Sequence, residues 1–256
     1  MTSPIRQVVK SAVARLGGPA RGSRTLCLHR VSRESDPAAC SLVNIYRFLD
    51  EAARRGFTLR PLADVEAQLT AAEPATFLAL VFDDACASAL PAIADLRAND
   101  VAVTVAVPTA VLDPAGRARD LADEPMSPVQ LRMLVALGAE LLAHGHNHVS
   151  FVGLTSTELR AEVRDCLDAV AQFTGIAADR LVLPFGAVDD HVTAVLADEG
   201  VRIAHGLGPG SVGPTANPWN LPRLCLSNVT PTADLAFGLS RAYDLLPLTR
   251  STRRHM

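Results

Sequence analysis

Seven short apolar runs that end in polar residues, most of them followed by a helical pattern, constrain this chain more than any other feature. They cover 24–32, 76–84, 101–108, 139–144, 180–186, 201–206 and 221–227. Runs of this length, apolar throughout, read as strands buried on both faces. Helical patterns cover 42–57, 86–100, 127–138, 155–175, 189–200 and 232–246. Ser127 before Pro128 opens one helix, and Thr155 or Ser156 with an acidic residue about three positions on opens another. Gly56 and Gly138 stand where helices end. Strand–helix alternation implies parallel strands joined by helical crossovers. Polar residues gathered at the strand ends favour a closed or nearly closed barrel, with its active site at that end. The expected fold is therefore α/β: a single-domain, irregular (β/α)7-type barrel of mostly parallel strands over 24–256, preceded by an N-terminal helical extension over 1–23. The polar segment 113–125 is expected to be a long surface loop.

Composition narrows the function classes. Hydrophobic residues make up 49% of the 256, enough for a substantial core. The formal charge of −3, with one Trp and two Tyr, gives no basic patch and no stacking surface for nucleic acid. Five scattered cysteines without a CxxC pair suggest neither a disulfide framework nor a thiolate zinc site, so buried, reduced thiols are expected. No run approaches the roughly 18 apolar residues of a membrane span. Lys10 and Arg15 interrupt the apolar residues near the N-terminus, where a secretory signal needs an unbroken core. A cytoplasmic protein is the expectation. Ile5, Val8, Val9, Val13 and Leu16 share one helical face, which is expected to pack on the domain. Peripheral contact with a membrane surface is the rival reading of that face.

The informative polar residues lie at strand ends: His29, Asp83, Asp84, His144, His146, His148, Phe185, Gly186, His205 and Arg223. Asp and His suit Zn²⁺ or a similar divalent ion. A hydrolytic site of this kind takes three protein ligands and a water whose pKa the ion lowers, and a second carboxylate can accept that water's proton. An isolated Asp–Asp pair is usually a solvated turn, but "LALVF" just before Asp83 and Asp84 should be buried. In "AELLAHGHNHVS" three histidines alternate. On a strand all three share a face, and on a helix only His144 and His148 do.

Together these segments resemble the polysaccharide deacetylases, carbohydrate esterase family 4. "LVFDDACASALPAI" resembles the first motif, usually T-F-D-D-G. "GAELLAHGHNHVSFVGLTSTELRAEV" resembles the second, with its H-[ST]-x-x-H. "LVLPFGAVDD" resembles the third, in the Y-P-F-G subgroup. "TLCLHRVS" and "LPRLCL" resemble that subgroup's first and late strands. The resemblance spans about residues 24 to 227. It implies a metal-dependent hydrolase that removes an N-acetyl group from an amino sugar or sugar conjugate. It implies one divalent ion, with zinc first and cobalt or nickel as alternatives. Asp83 matches the general base, and Asp84, His144 and His148 match the metal ligands, leaving His146 without a ligand position, either solvated or supporting the loop. Phe185 matches the residue whose backbone N–H stabilises the oxyanion, with Pro184 and Gly186 shaping its turn. His29 matches a pocket histidine that binds substrate or helps protonate the leaving amine, and His205, placed only by its strand end, competes for the acid role.

The departures are specific. Ala85 replaces the usual Gly, so a left-handed turn there would be strained. Val182 stands where many members carry an Arg that orients the base, a task Arg223 could take. Leu183 replaces the Tyr of Y-P-F-G, and the late leucine–histidine motif is not visible. Two rivals remain: a hydrolase of a small cyclic imide, ureide or other amide, and a non-catalytic sugar-binding homologue.

Overall fold

In the computed structural model, the described residues are 22–244 except Glu34, Pro114, Ala115, Arg117 and Ala122, together with 7, 8, 10–13, 18 and 246. Eight strands form one sheet: β1 (Arg24–Leu28), β2 (Thr58–Leu59), β3 (Phe77–Phe82), β4 (Val103–Val107), β5 (Glu140–Ala143), β6 (Arg180–Val182), β7 (Ile203–His205) and β8 (Leu224–Cys225). Their order is β7-β6-β5-β4-β3-β1-β8, with β2 beside β3, and every strand pairing is parallel. The sheet curls into an incomplete barrel. One stretch after β7 ties its two edges: Leu221 bridges to His205, and Leu224–Cys225 pair with β1.

All seven expected strands are present, each shorter than its apolar run. The eighth, β2, was not expected. It borders the first two residues of β3, while β4 borders Leu80, Val81 and Phe82. The helix that follows, Leu62–Glu66, was also missed, although Pro61 precedes it and Leu62 and Val65 mark its buried face. The expected helix over 232–246 is two, Thr232–Gly238 and Arg241–Asp244.

Alternation along the strands sorts the core into two layers. Leu80, Phe82, Val103 and Val105 pack outwards against Ile45, Phe48, Ile93 and Leu131 of the helices. Ala79, Val81, Ala106, Leu142, Val182 and Ile203 pack inwards with Leu62 and Val65. The short helix therefore helps to fill the barrel, and its Glu66 carries the inner polar contacts. Glu66 accepts from Arg180 at 2.6 Å and lies 2.7 Å from His205 Nε2.

Within the N-terminal extension, Ile5, Val9 and Leu16 lie outside the described residues. Val8 and Val13 are exposed, and Lys10 pairs with Asp234 at 2.8 Å. Among the described residues no helix is long and apolar enough to cross a membrane. All five cysteines are free thiols, and only Cys225 is exposed.

Candidate metal centre and active site

Strand register brings the polar ends together. Leu28 pairs with Phe82, so His29 and Asp83 leave neighbouring strands side by side. Cys27 pairs with Val81, two residues before Asp83, so the side chains of Cys27, Val81 and Asp83 share the inner face. Leu142 is inward, and His144, two residues on, faces the same way. The chain then reverses at Gly145 (φ 72°) and again at His148 (φ 56°), which returns the His148 ring to His144. The two ring centroids are 4.9 Å apart. A Cβ at Gly145 would stand 3.0 Å from Pro184 Cγ, so glycine lets the histidine loop and the Phe185 turn approach.

Asp84, His144 and His148 converge, all three buried. Asp84 Oδ1 is 3.4 Å from His144 Nε2 and 3.2 Å from His148 Nε2. His144 Nδ1 donates to Val182 O at 2.9 Å and His148 Nδ1 to Arg119 O at 2.7 Å. A carbonyl only accepts, so both histidines carry their hydrogen on Nδ1, and Nε2 offers a lone pair when the ring is neutral. Two imidazole nitrogens and a carboxylate oxygen within 4.8 Å of one another, with their outer nitrogens fixed, fit a borderline divalent ion such as zinc. Burial would raise the Asp84 carboxyl, but His144 and His148 hold it well below the carboxylate range. Burial would lower His148, but Asp84 raises it.

Asp83 lies beside this triad. Its Oδ1 accepts from Arg223 Nη1 at 2.7 Å, while Oδ2 is 4.0 Å from His144 Nε2 and 4.0 Å from His29 Nε2. Burial pushes this carboxyl up, yet Arg223, then His144 and His29, outweigh it and hold it at about 2. Arg223 is fixed in turn by donating from Nε to Gly206 O at 2.9 Å. It does what Val182 cannot. Burial disfavours a charged His29, but Cys27 and the carboxylates of Asp83 and Asp84 push it up.

His146 stands apart from the triad, 3.0 Å from the Thr109 hydroxyl through Nδ1. The loop between His144 and His148 is pinned by a residue the sequence reading missed. Buried Glu162 accepts from the backbone N–H of His146 and Asn147 and from the Asn147 amide, at 2.9, 3.0 and 2.6 Å. Its signal was legible: on the helix Ser156–Thr174 the buried residues are Leu159, Glu162, Val163, Cys166, Leu167 and Val170, a carboxylate inside an apolar stripe. The expected surface loop over 113–125 is likewise more than a loop. Arg119 supplies the carbonyl for His148, and Glu124 O accepts from Ala87 N at 2.7 Å beside the first motif.

Phe185 has φ 58° and ψ 7°, and its ring lies 4.8 Å from that of His148. A Cβ on Gly186 (φ 62°) would meet Leu207 Cγ at 2.5 Å, so the turn is closed against the next loop. His205 is fully buried and bonded to Glu66 rather than brought to Asp83. Asp84 (φ 66°) and Ala85 (φ 49°) are both left-handed, and Ala85 carries the strain its residue type implies. That conformation costs an L-residue about 1–2 kcal/mol. Replacement by Gly would relieve it, but would lose a buried methyl worth about 0.8 kcal/mol and add about 0.5–1 kcal/mol of chain entropy. Ala85→Gly is therefore expected to change stability in urea by less than about 1 kcal/mol.

A family profile described as polysaccharide deacetylase matches residues 71–204, more than half of the chain. The chain belongs to the polysaccharide deacetylase family. That membership makes it a hydrolase of the deacetylase class. Three solved structures share the family fold across most of this chain. Streptococcus pyogenes deacetylase PplD, solved with acetate, has a TM-score of 0.73 at 15% identity, covering 87% of this chain and 99% of that one. IcaB from Ammonifex degensii has a TM-score of 0.72 at 17% identity, covering 87% and 99%. A de-N-acetylase from Aggregatibacter actinomycetemcomitans has a TM-score of 0.67 at 16% identity, covering 85% and 99%. At these identities the likeness is one of fold. No curated protein matches the chain.

Proposed function

We propose that this family member is a metal-dependent N-deacetylase acting on an amino sugar within a glycan or sugar conjugate. The observation that carries the reading is the adjacency of two unlike carboxylates: Asp84 within the His144–His148 cluster, and Asp83 beside it, held by Arg223. Asp84, His144 and His148 would hold the ion. A divalent ion there, zinc first, polarises an acyl carbonyl and lowers the pKa of a water.

The chain's own groups supply the rest. Arg223 occupies Asp83 Oδ1 and keeps the carboxylate ionised, so Oδ2 takes the proton from the attacking water. The Phe185 backbone N–H, presented by its left-handed turn, donates to the acyl oxygen, on which negative charge develops as water adds to the acyl carbon. His29, raised and part-exposed, gives its proton to the departing amine as the C–N bond breaks. The products are acetate and a free amino sugar. His205, buried against Glu66, serves the barrel interior. We read the third motif as the Y-P-F-G version with Leu183 in place of the Tyr. Residues 24–256 form the catalytic domain and 1–23 an extension of it.

His148→Ala is expected to lose most of the bound metal and at least about 100-fold of the acetate release. Elemental analysis and an acetate assay on monomeric, polymeric and lipid-linked N-acetyl amino sugars provide the check. Turnover of small imides or ureides instead would favour the first rival. No turnover by a fully metallated chain on any of them would favour the sugar-binding one.

A further inference from the structure

Of the buried thiols, none of which the proposed mechanism uses, Cys27 lies against the base, its Sγ beside Asp83. We propose that Cys27, His29 and Asp83 form a second cation position, selective for thiophilic divalent ions, whose occupancy inhibits the enzyme.

The position follows from strand register. Cys27 ends the inner face of β1, His29 follows two residues on, and Asp83 leaves β3 on the same face. Cys27 Sγ is 3.3 Å from Asp83 Oδ2 and 4.0 Å from His29 Nδ1, and His29 Nε2 is 4.0 Å from Asp83 Oδ2. One donor atom from each lies within 4.8 Å of the others. Ligands around tetrahedral zinc, at bond lengths of about 2.0–2.3 Å, stand about 3.3–3.6 Å apart. Closing the 4.0 Å separations to that range takes a shift of about half an ångström and a turn of the His29 ring, which brings one nitrogen to the ion. That ring is 37% exposed, whereas Cys27 and Asp83 are buried, so it marks the side from which an ion and a fourth, solvent ligand can enter.

The donor chemistry separates the two positions. Asp84, His144 and His148 offer only oxygen and nitrogen. The second position adds a thiolate, which favours zinc or cadmium over magnesium or manganese. On binding, the Cys27 S–H proton leaves to solvent, and thiolate and carboxylate together balance the divalent charge. Arg223, on the other oxygen of Asp83, opposes the ion and makes this the weaker position.

Inhibition rests on the catalytic reading above. An ion on Asp83 Oδ2 occupies the lone pair that takes the proton from water, and an ion on His29 removes the proton donor. One group of ligands thus captures both ends of the proton transfer.

Cobalt titration of the metal-stripped full chain tests this, because a thiolate-to-cobalt charge-transfer band in the near ultraviolet reports sulfur ligation directly. The expected result is two equivalents of Co²⁺, with the band rising only with the second and acetate release falling at least tenfold as it rises. Cys27→Ser should keep the first equivalent and lose the band. His148→Ala should lose the first equivalent and keep the band, as should Cys225→Ser in respect of the band. Saturation at one equivalent in the unaltered chain, or a second equivalent without the band, overturns the proposal with no variant needed. A band that depends on Cys225 instead of Cys27 overturns it too. A chain already inactive with one equivalent bound, which then shows the band with the second, sinks the catalytic reading and leaves the second position standing, whereas a chain active with one equivalent that never shows the band does the reverse.

Discussion

Asp83→Asn is expected to lower kcat/KM for acetate release by about 10²–10⁴-fold while the Asp84–His144–His148 ion remains bound. The asparagine oxygen can keep the Arg223 hydrogen bond, but it cannot accept the water's proton at neutral pH. The substitution also has a structural cost. The Arg223 side chain is 0% exposed and Asp83 is its ion-pair partner, at 2.7 Å. Breaking a buried pair from one side costs about 3–5 kcal/mol, because the remaining charge stays desolvated. Kinetics should therefore be read well below the melting temperature of the variant, with metal content measured on the same sample. A fully active Asp83→Asn enzyme sinks the mechanism.

Arg223→Met carries the second large effect, and it appears in both stability and pH dependence. The Asp83 carboxyl is depressed from an ordinary 3.8 to about 2. A depressed carboxyl stabilises the fold fully above its unfolded value and loses that contribution as the pH falls through its folded value. In the unaltered chain the pair's contribution is thus intact above pH 3.8 and lost towards about 2. Without Arg223, burial acts on Asp83 unopposed by its strongest counter-charge, and its pKa rises. The variant is expected to lose about 3–5 kcal/mol at neutral pH, with the deficit narrowing on acidification. The acid limb of its kcat/KM profile should move to higher pH, because the base is protonated sooner. Urea unfolding at several pH values and a pH–rate profile provide the check. An acid limb that stays in place would show that Arg223 does not set the state of Asp83.

Both effects depend on a contact between residues 140 positions apart. The strands carrying them were legible, since "LALVF" and "LPRLCL" are apolar runs with polar ends. Arg223 was legible as a strand-end cation that could orient the base, but its contact with Asp83 was not, because Val182 at the usual place gives no sign of where a substitute comes from. Glu162 was legible as a carboxylate in an apolar helical stripe, yet the N–H groups that donate to it lie in a loop outside the helix, beyond the reach of periodicity. Cys27 and His29 read as a strand end, and their nearness to Asp83 depends on the Leu28–Phe82 register. The short β2 and the Leu62–Glu66 helix fell below the length at which periodicity is informative.

The sequence by itself determined the parallel, helix-linked strands, and with them the end of the barrel where the polar residues gather. Side-chain alternation and helix caps are local properties, set by the nearest few residues. Tertiary structure decided which residues meet. His148 rather than His146 joins Asp84 because the chain reverses through left-handed backbone at Gly145 and His148, on a loop held by Glu162. Arg223 reaches Asp83 because the sheet curls until the stretch after β7 also pairs with β1. His205 faces Glu66 because a helix only five residues long enters the barrel interior. Each of these depends on closure and packing of distant segments, and no local pattern encodes that closure.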